Sequence, residues 1–114
     1  MKVIVCGGRE YRDSVRVFTT LDKLLAQYPG LEIISGMAKG ADTYAVNWAD
    51  IRGVKVHRVY ADWEKYKRAA GFIRNKRMLT DYGAEKVIAF PGGAGTANMI
   101  AIAKKAGLEV IEIQ

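Results

Sequence analysis

The sequence predicts an α/β fold: a three-layer, Rossmann-like sandwich with a five-stranded parallel sheet and helices on both faces. Three observations predict it. Short apolar, β-branched runs recur at even intervals; amphipathic helical patterns fill the gaps between them; and Gly or Pro-Gly punctuation closes each helical pattern before the next apolar run. Continuous apolar strands are buried on both faces, which calls for a parallel sheet covered by helices on each side. Right-handed crossovers then give a doubly wound sheet, for which strand order 3-2-1-4-5 is favoured.

The elements follow in order. Val3-Ile4-Val5 is the first strand, and Phe18, Leu21, Leu25 and Tyr28 mark the first helix, closed by Pro29-Gly30. Leu31–Ile34 is the second strand. Ala41, Tyr44, Ala45, Trp48 and Ala49 form the stripe of the second helix, which ends at Gly53. Val54–Tyr60 is the third strand. The stretch from about Ala61 to Phe72 is the longest without regular pattern. Met78, Leu79 and Tyr82 mark the third helix, closed by Gly83. Val87–Phe90 is the fourth strand. Met99, Ile102, Ala103 and Ala106 mark the fourth helix, closed by Gly107 before the last strand, Val110–Ile113. The pattern is βαβαβαβαβ, in one domain spanning residues 1–114.

Composition narrows the function. No apolar run approaches the roughly 18 residues of a membrane span. The N-terminal apolar run stops at a glycine pair, so it is expected to be a strand and not a signal peptide. A lone cysteine, Cys6, fits a reducing cytoplasm, and one Cys with one His (His57) offers no metal-binding cluster, so neither a metal nor a cofactor is expected. The formal charge is +6, and Glu64–Arg77 holds six positive residues against one negative. That segment suits an anionic partner, or else forms a solvated face.

In a doubly wound sheet ligands lie at the carboxyl ends of the strands, where the winding reverses. With the favoured order this switch point brings together Gly7-Gly8-Arg9-Glu10-Tyr11 and Pro91-Gly92-Gly93-Ala94-Gly95-Thr96, flanked by Ser35–Asp42 and Asp62-Trp63. Gly92, Gly93 and Gly95 let backbone N–H groups approach an anion, and Thr96 is expected to open a helix whose free N–H groups favour phosphate. The plainer alternative is a strand-to-helix turn that uses glycine for its geometry. Neither GxGxxG nor GxxxxGK[ST] occurs. Arg9 suits phosphate or carboxylate, or a surface pair with Glu10 or Asp13. Gly36 and Gly40 flank Lys39, and Asp42 either caps the second helix or holds ribose hydroxyls.

The third helix adds Asn75, a polar residue on the stripe that continues through Met78, Leu79 and Tyr82, so it requires partners in a loop or a ligand. Arg74 and Arg77 lie one turn apart on an adjacent face, expected to point toward the crevice. Trp63 is placed to stack on a base or to cover the core edge. Trp48, His57 and Cys6 are expected to be structural.

VIVCGGREY, SGMAKGAD, ADWEKYKRAAGFIRNKRM and AFPGGAGTANM, in that order, resemble the YspA-like branch of the SLOG superfamily. That superfamily also takes in the Lonely Guy phosphoribohydrolases and the DNA-processing protein A group. The resemblance implies a Rossmann-like domain from a bacterium or phage that binds nucleotides or nucleotide-derived signals, often as a homodimer or higher homo-oligomer. Lonely Guy enzymes cleave the N-glycosidic bond of nucleoside monophosphates with PGGxGTxxE. Pro91, Gly92, Gly93, Gly95 and Thr96 match the phosphate-holding part, and Met99 stands at the glutamate position. The arginine that partners that glutamate corresponds to Arg74 or Arg77. The DNA-processing group carries a stretch similar to Arg74-Asn75-Lys76-Arg77.

The resulting expectation is a nucleotide-binding protein. Its ligand contacts are Gly7, Gly8, Arg9, Gly36, Lys39, Asp42, Trp63, Arg74, Asn75, Arg77, Pro91, Gly92, Gly93, Gly95 and Thr96. The alternatives are an N-glycoside hydrolase, which needs Glu10, Asp42 or Asp62 in place of the missing glutamate, and a single-stranded nucleic-acid binder.

Overall fold

The computed structural model describes residues Met1–Gln114. Its strands are β1 (Lys2–Cys6), β2 (Glu32–Ser35), β3 (Lys55–Arg58), β4 (Lys86–Ala89) and β5 (Glu109–Glu112). Its helices are α1 (Ser14–Gln27), α2 (Ala41–Arg52), α3 (Trp63–Tyr66), α4 (Ala70–Asp81) and α5 (Ala94–Lys105), with a 3-10 turn at Lys67–Ala69. All neighbouring strands are parallel, in the order β3-β2-β1-β4-β5.

The apolar runs form strands because both faces of the sheet are covered. Along β1, Val3 and Val5 join one apolar cluster with Val17, Leu21, Ala45 and Trp48 of α1 and α2. Ile4 and Cys6 join the other with Met78, Met99 and Ala103 of α4 and α5. The two-residue alternation of a strand thus feeds two cores at once. The edge strands differ: both ends of β3 and of β5 are charged and exposed, which discourages pairing with another chain.

Glycine ends α2 as expected. Gly53 adopts the left-handed conformation and its N–H bonds the Ala49 carbonyl. Two expectations are corrected. Ala61–Phe72 is mostly helical, not irregular: Asp62 accepts the Lys65 N–H (3.0 Å) as the cap of α3, and the 3-10 turn leads directly into α4. Lys67, at φ 52, breaks the helical path. Pieces this short never complete an amphipathic period, so they left no stripe in the sequence. Similarly, α5 begins at Ala94, two residues before Thr96.

Candidate functional site

Three loops at the carboxyl end of the sheet are locked together through Gly8. Its N–H donates to the Pro91 carbonyl (2.9 Å), and its own carbonyl accepts the N–H groups of Tyr11 (3.2 Å) and Ala41 (3.3 Å). The approach is so close that side chains are excluded. A Cβ on Gly7 would meet the Ala41 Cβ at 2.5 Å, one on Gly40 would strike the Gly8 carbonyl, and one on Gly92 would strike the Thr96 hydroxyl. Part of the glycine content therefore serves the protein's own packing.

Gly93 and Gly95 are different. Both line a cavity of about 770 Å³ at this end of the sheet, yet a Cβ on either would meet no protein atom within 4 Å. Between and beside them is the first turn of α5. The first helical hydrogen bond there runs from Ala97 N–H to the Gly93 carbonyl (3.0 Å), which leaves the N–H groups of Ala94, Gly95 and Thr96 without helical acceptors. The helix dipole adds partial positive charge at the same place. The loop is a cradle for an anion, and Thr96, buried in that first turn, lines it too.

The floor is polar and buried. Asn75, 5% exposed, donates from Nδ2 to the Gly95 carbonyl and to Asn98 Oδ1, both at 3.0 Å. Its Oδ1 accepts Arg74 Nε–H at 3.2 Å. Arg74 also donates from Nη1 to the Gly36 carbonyl (2.6 Å), and its guanidinium lies against Gly36, where a Cβ would be 2.9 Å away. Nη2 has no protein acceptor. Burial draws the Arg74 pKa down, and the charge of Asp42 opposes that. Asp42, 5% exposed, accepts the Ala38 N–H at Oδ2 (3.2 Å), reaching back from the second residue of α2, whose cap is Gly40. Burial pushes its carboxyl up to about 6, against the pull of the Ala38 N–H, Arg74 and Arg9. Cys6 also faces the cavity, but burial pushes its thiol up to about 12, so it remains protonated and unreactive.

The rim is aromatic and cationic. Trp63 and Phe72 are each about half exposed. The Arg9 guanidinium sits 5.6 Å from the Trp63 ring centroid, and Gly71 lies under the ring edge. Arg68 completes this side.

Of the residues singled out in the sequence, Gly7, Gly8, Arg9, Gly36, Asp42, Trp63, Arg74, Asn75, Pro91, Gly92, Gly93, Gly95 and Thr96 are brought together around this cavity, as is Glu10. Lys39, Asp62 and Arg77 are not. Arg77 lies a turn farther along α4 and is half exposed, nearest to Asp81 (3.9 Å), so it does not share the crevice with Arg74. Asp62 is occupied as a cap. Glu10 is almost fully exposed beside Arg12. Arg9 pairs with neither Glu10 nor Asp13, the latter being the cap of α1. Tyr11 and Ala38 lie in loops the sequence placed at the switch point, though without a ligand role; Arg68, Gly71, Phe72 and Met78 were missed as lining residues. The capping residue Asp62, with Glu64 in the first turn after it, was the available signal for the helical segment that leads to the Arg68–Phe72 wall. Elsewhere, His57 bonds Glu32 (2.7 Å) and Trp48 is fully buried. No three His, Cys, Asp or Glu residues are grouped to hold a metal, and no helix is long and apolar enough to cross a membrane.

Residues 1–66 match the model of the YspA, cpYpsA-related SLOG family. The Gene 61 protein of Mycobacterium phage D29 is 38% identical over 120 residues, covering 96% of this chain and 94% of its own. Among solved structures, the structural-genomics target TM1055 aligns with a TM-score of 0.73 at 20% identity, over 96% of this chain and 71% of its own. DNA processing protein A from Streptococcus pneumoniae aligns with a TM-score of 0.76 at 21% identity, over 99% of this chain and 50% of its own. These two structures share the fold, and the chain spans half the length of the second.

Proposed function

The chain belongs to the YspA, cpYpsA-related SLOG family, and from that premise we propose that it binds a nucleotide or nucleotide-derived small molecule. The phosphate lies on Gly92–Thr96 at the start of α5, and Arg9 and the free Nη2 of Arg74 neutralise its charge. One observation carries this reading. Gly93 and Gly95 lack side chains where the protein's own packing does not require it, beside three free N–H groups. A ligand that must approach the backbone accounts for that space. The cavity volume suits a nucleotide, and the exposed Trp63 and Phe72 offer faces for a base.

Thermal-shift measurements with nucleoside mono-, di- and triphosphates test the proposal. A concentration-dependent rise in Tm is expected for at least one. No rise across the panel at millimolar ligand overturns it.

A second reading is supported by the exposed charge of Lys65, Lys67, Lys76 and Arg77 near the aromatic rim, which suits a single-stranded nucleic acid. Oligonucleotide affinity that falls steeply with salt and resists competition by mononucleotides favours it. The N-glycosidase reading is weaker. Met99, at the glutamate position of the Lonely Guy pattern, is 1% exposed within the apolar cluster beneath α5 and does not line the cavity. Of the three replacement carboxylates, only Asp42 is both buried and in the cavity wall.

A further inference from the structure

Asp42 is the one acidic group on the cavity floor, and half of it is unused. Oδ2 accepts the Ala38 N–H, but no protein donor reaches Oδ1. The charged and titratable groups facing it come from three elements: Cys6 at the end of β1, Arg9 in the loop after β1, and Arg74 on α4. None satisfies it. Cys6 remains a thiol; Arg9 lies over Trp63; and Arg74 directs two of its donors to Gly36 and Asn75. No buried side-chain oxygen lacks a partner, so Oδ1 is open to the cavity, where a ligand hydroxyl can replace water as its donor. The carboxylate is also badly placed to serve phosphate, which it repels.

Resting on the nucleotide reading above, we propose that Asp42 accepts the ribose hydroxyls of the ligand and makes the site selective for ribonucleotides. Depth in the cavity supports this placement. The phosphate cradle is at the mouth of α5 and the aromatic faces are on the exposed rim, while Asp42 belongs to the buried floor. In a nucleotide the sugar lies between phosphate and base, and its vicinal hydroxyls are the donors common to every base. A carboxylate accepting from a ribose hydroxyl is a charge-assisted bond, and removing the hydroxyl loses it.

The test compares a ribonucleotide with its 2′,3′-dideoxy counterpart, matched in base and phosphates, by calorimetry. Taking the ratio of their affinities cancels the ionisation of the phosphate. At pH 7.5 the ribonucleotide is expected to bind about tenfold tighter or more, the size of one charged hydrogen bond. The ratio is expected to shrink as pH falls from 7.5 to 5 and Asp42 gains its proton. In Asp42→Asn, which can still accept the Ala38 N–H, the ratio should fall close to one while the dideoxynucleotide binds as well as before or better. Equal affinities in the native protein, or an unchanged ratio in Asp42→Asn, overturn the inference while leaving the phosphate site standing. Failure of both nucleotides to bind overturns the nucleotide reading as well. The pH series needs no variant, so a folding defect in Asp42→Asn does not remove the test.

Discussion

Gly92 and Gly95 stand three positions apart, and their missing side chains answer to different demands. Gly92 is crowded by Thr96 and Gly8, so Gly92→Ala forces the interlocked loops apart. We expect it to cost about 1–3 kcal/mol in chemical denaturation, the usual range for overpacking. Gly95 has open space and lies in a helix, so Gly95→Ala should leave stability unchanged or raise it by up to about 1 kcal/mol. Asp42 carries a second residue-scale expectation. Burial raises its carboxyl from an ordinary 3.8 to about 6. Its contribution to stability is therefore fully present below pH 3.8 and lost as pH rises through about 6. At pH 8 the ionised form costs the ligand-free fold up to about 3 kcal/mol. Ligand-free Asp42→Asn should thus be more stable than the native protein at pH 8, with the difference shrinking toward pH 4 in urea unfolding. Asp22, held low by Arg52 and Trp48, and Glu32, held low by His57, act in the opposite sense, but both proteins contain them and the difference cancels them.

At the scale of elements, α4 is the brace of the site. Asn75 ties it to the start of α5, and Arg74 ties it to the loop after β2. Asn75→Ala strands the Arg74 Nε and frees the Gly95 carbonyl, so a loss of about 2–3 kcal/mol is expected in denaturant titration. The amide was legible in the sequence because it interrupts an apolar stripe, and a buried amide must find partners. Which partner it finds was not legible, since Gly95 and Asn98 are about twenty residues away. The same limit explains Arg74 and Arg77. Both carry the same charge near one helix start, but only the one nearer the N-terminus reaches the crevice. The α3 segment was missed because a four-residue helix has no period to detect. The glycine interlock at Gly8 was missed because three loops distant in sequence make it.

For the molecule as a whole, the parallel, doubly covered sheet was legible in a way loop contact was not, and the observed strand order is the one the sequence favoured without settling. Continuous apolar runs require burial on both faces, and few windings of five parallel strands provide it. The charge distribution was also visible, but not its division. Arg68 and Arg74 face the cavity, whereas Lys65, Lys67, Lys76 and Arg77 stand outside it. Changing those four outer residues to Gln together should leave mononucleotide affinity within about twofold at 0.15 M salt, where exposed charges are screened beyond roughly 8 Å. Arg74→Gln should weaken it at least tenfold, since a part-buried charged contact to phosphate is lost. The central claim is that the space left by the glycines after β4 holds the ligand's phosphate. Calorimetric titration of nucleoside mono-, di- and triphosphates into the native protein, and of the tightest binder into Gly95→Leu, tests it most directly. One saturable site in the native protein, lost in a variant of undiminished Tm, is the predicted result. Equal binding by both proteins, or no binding heat from the native protein with any of the three at millimolar ligand, contradicts it.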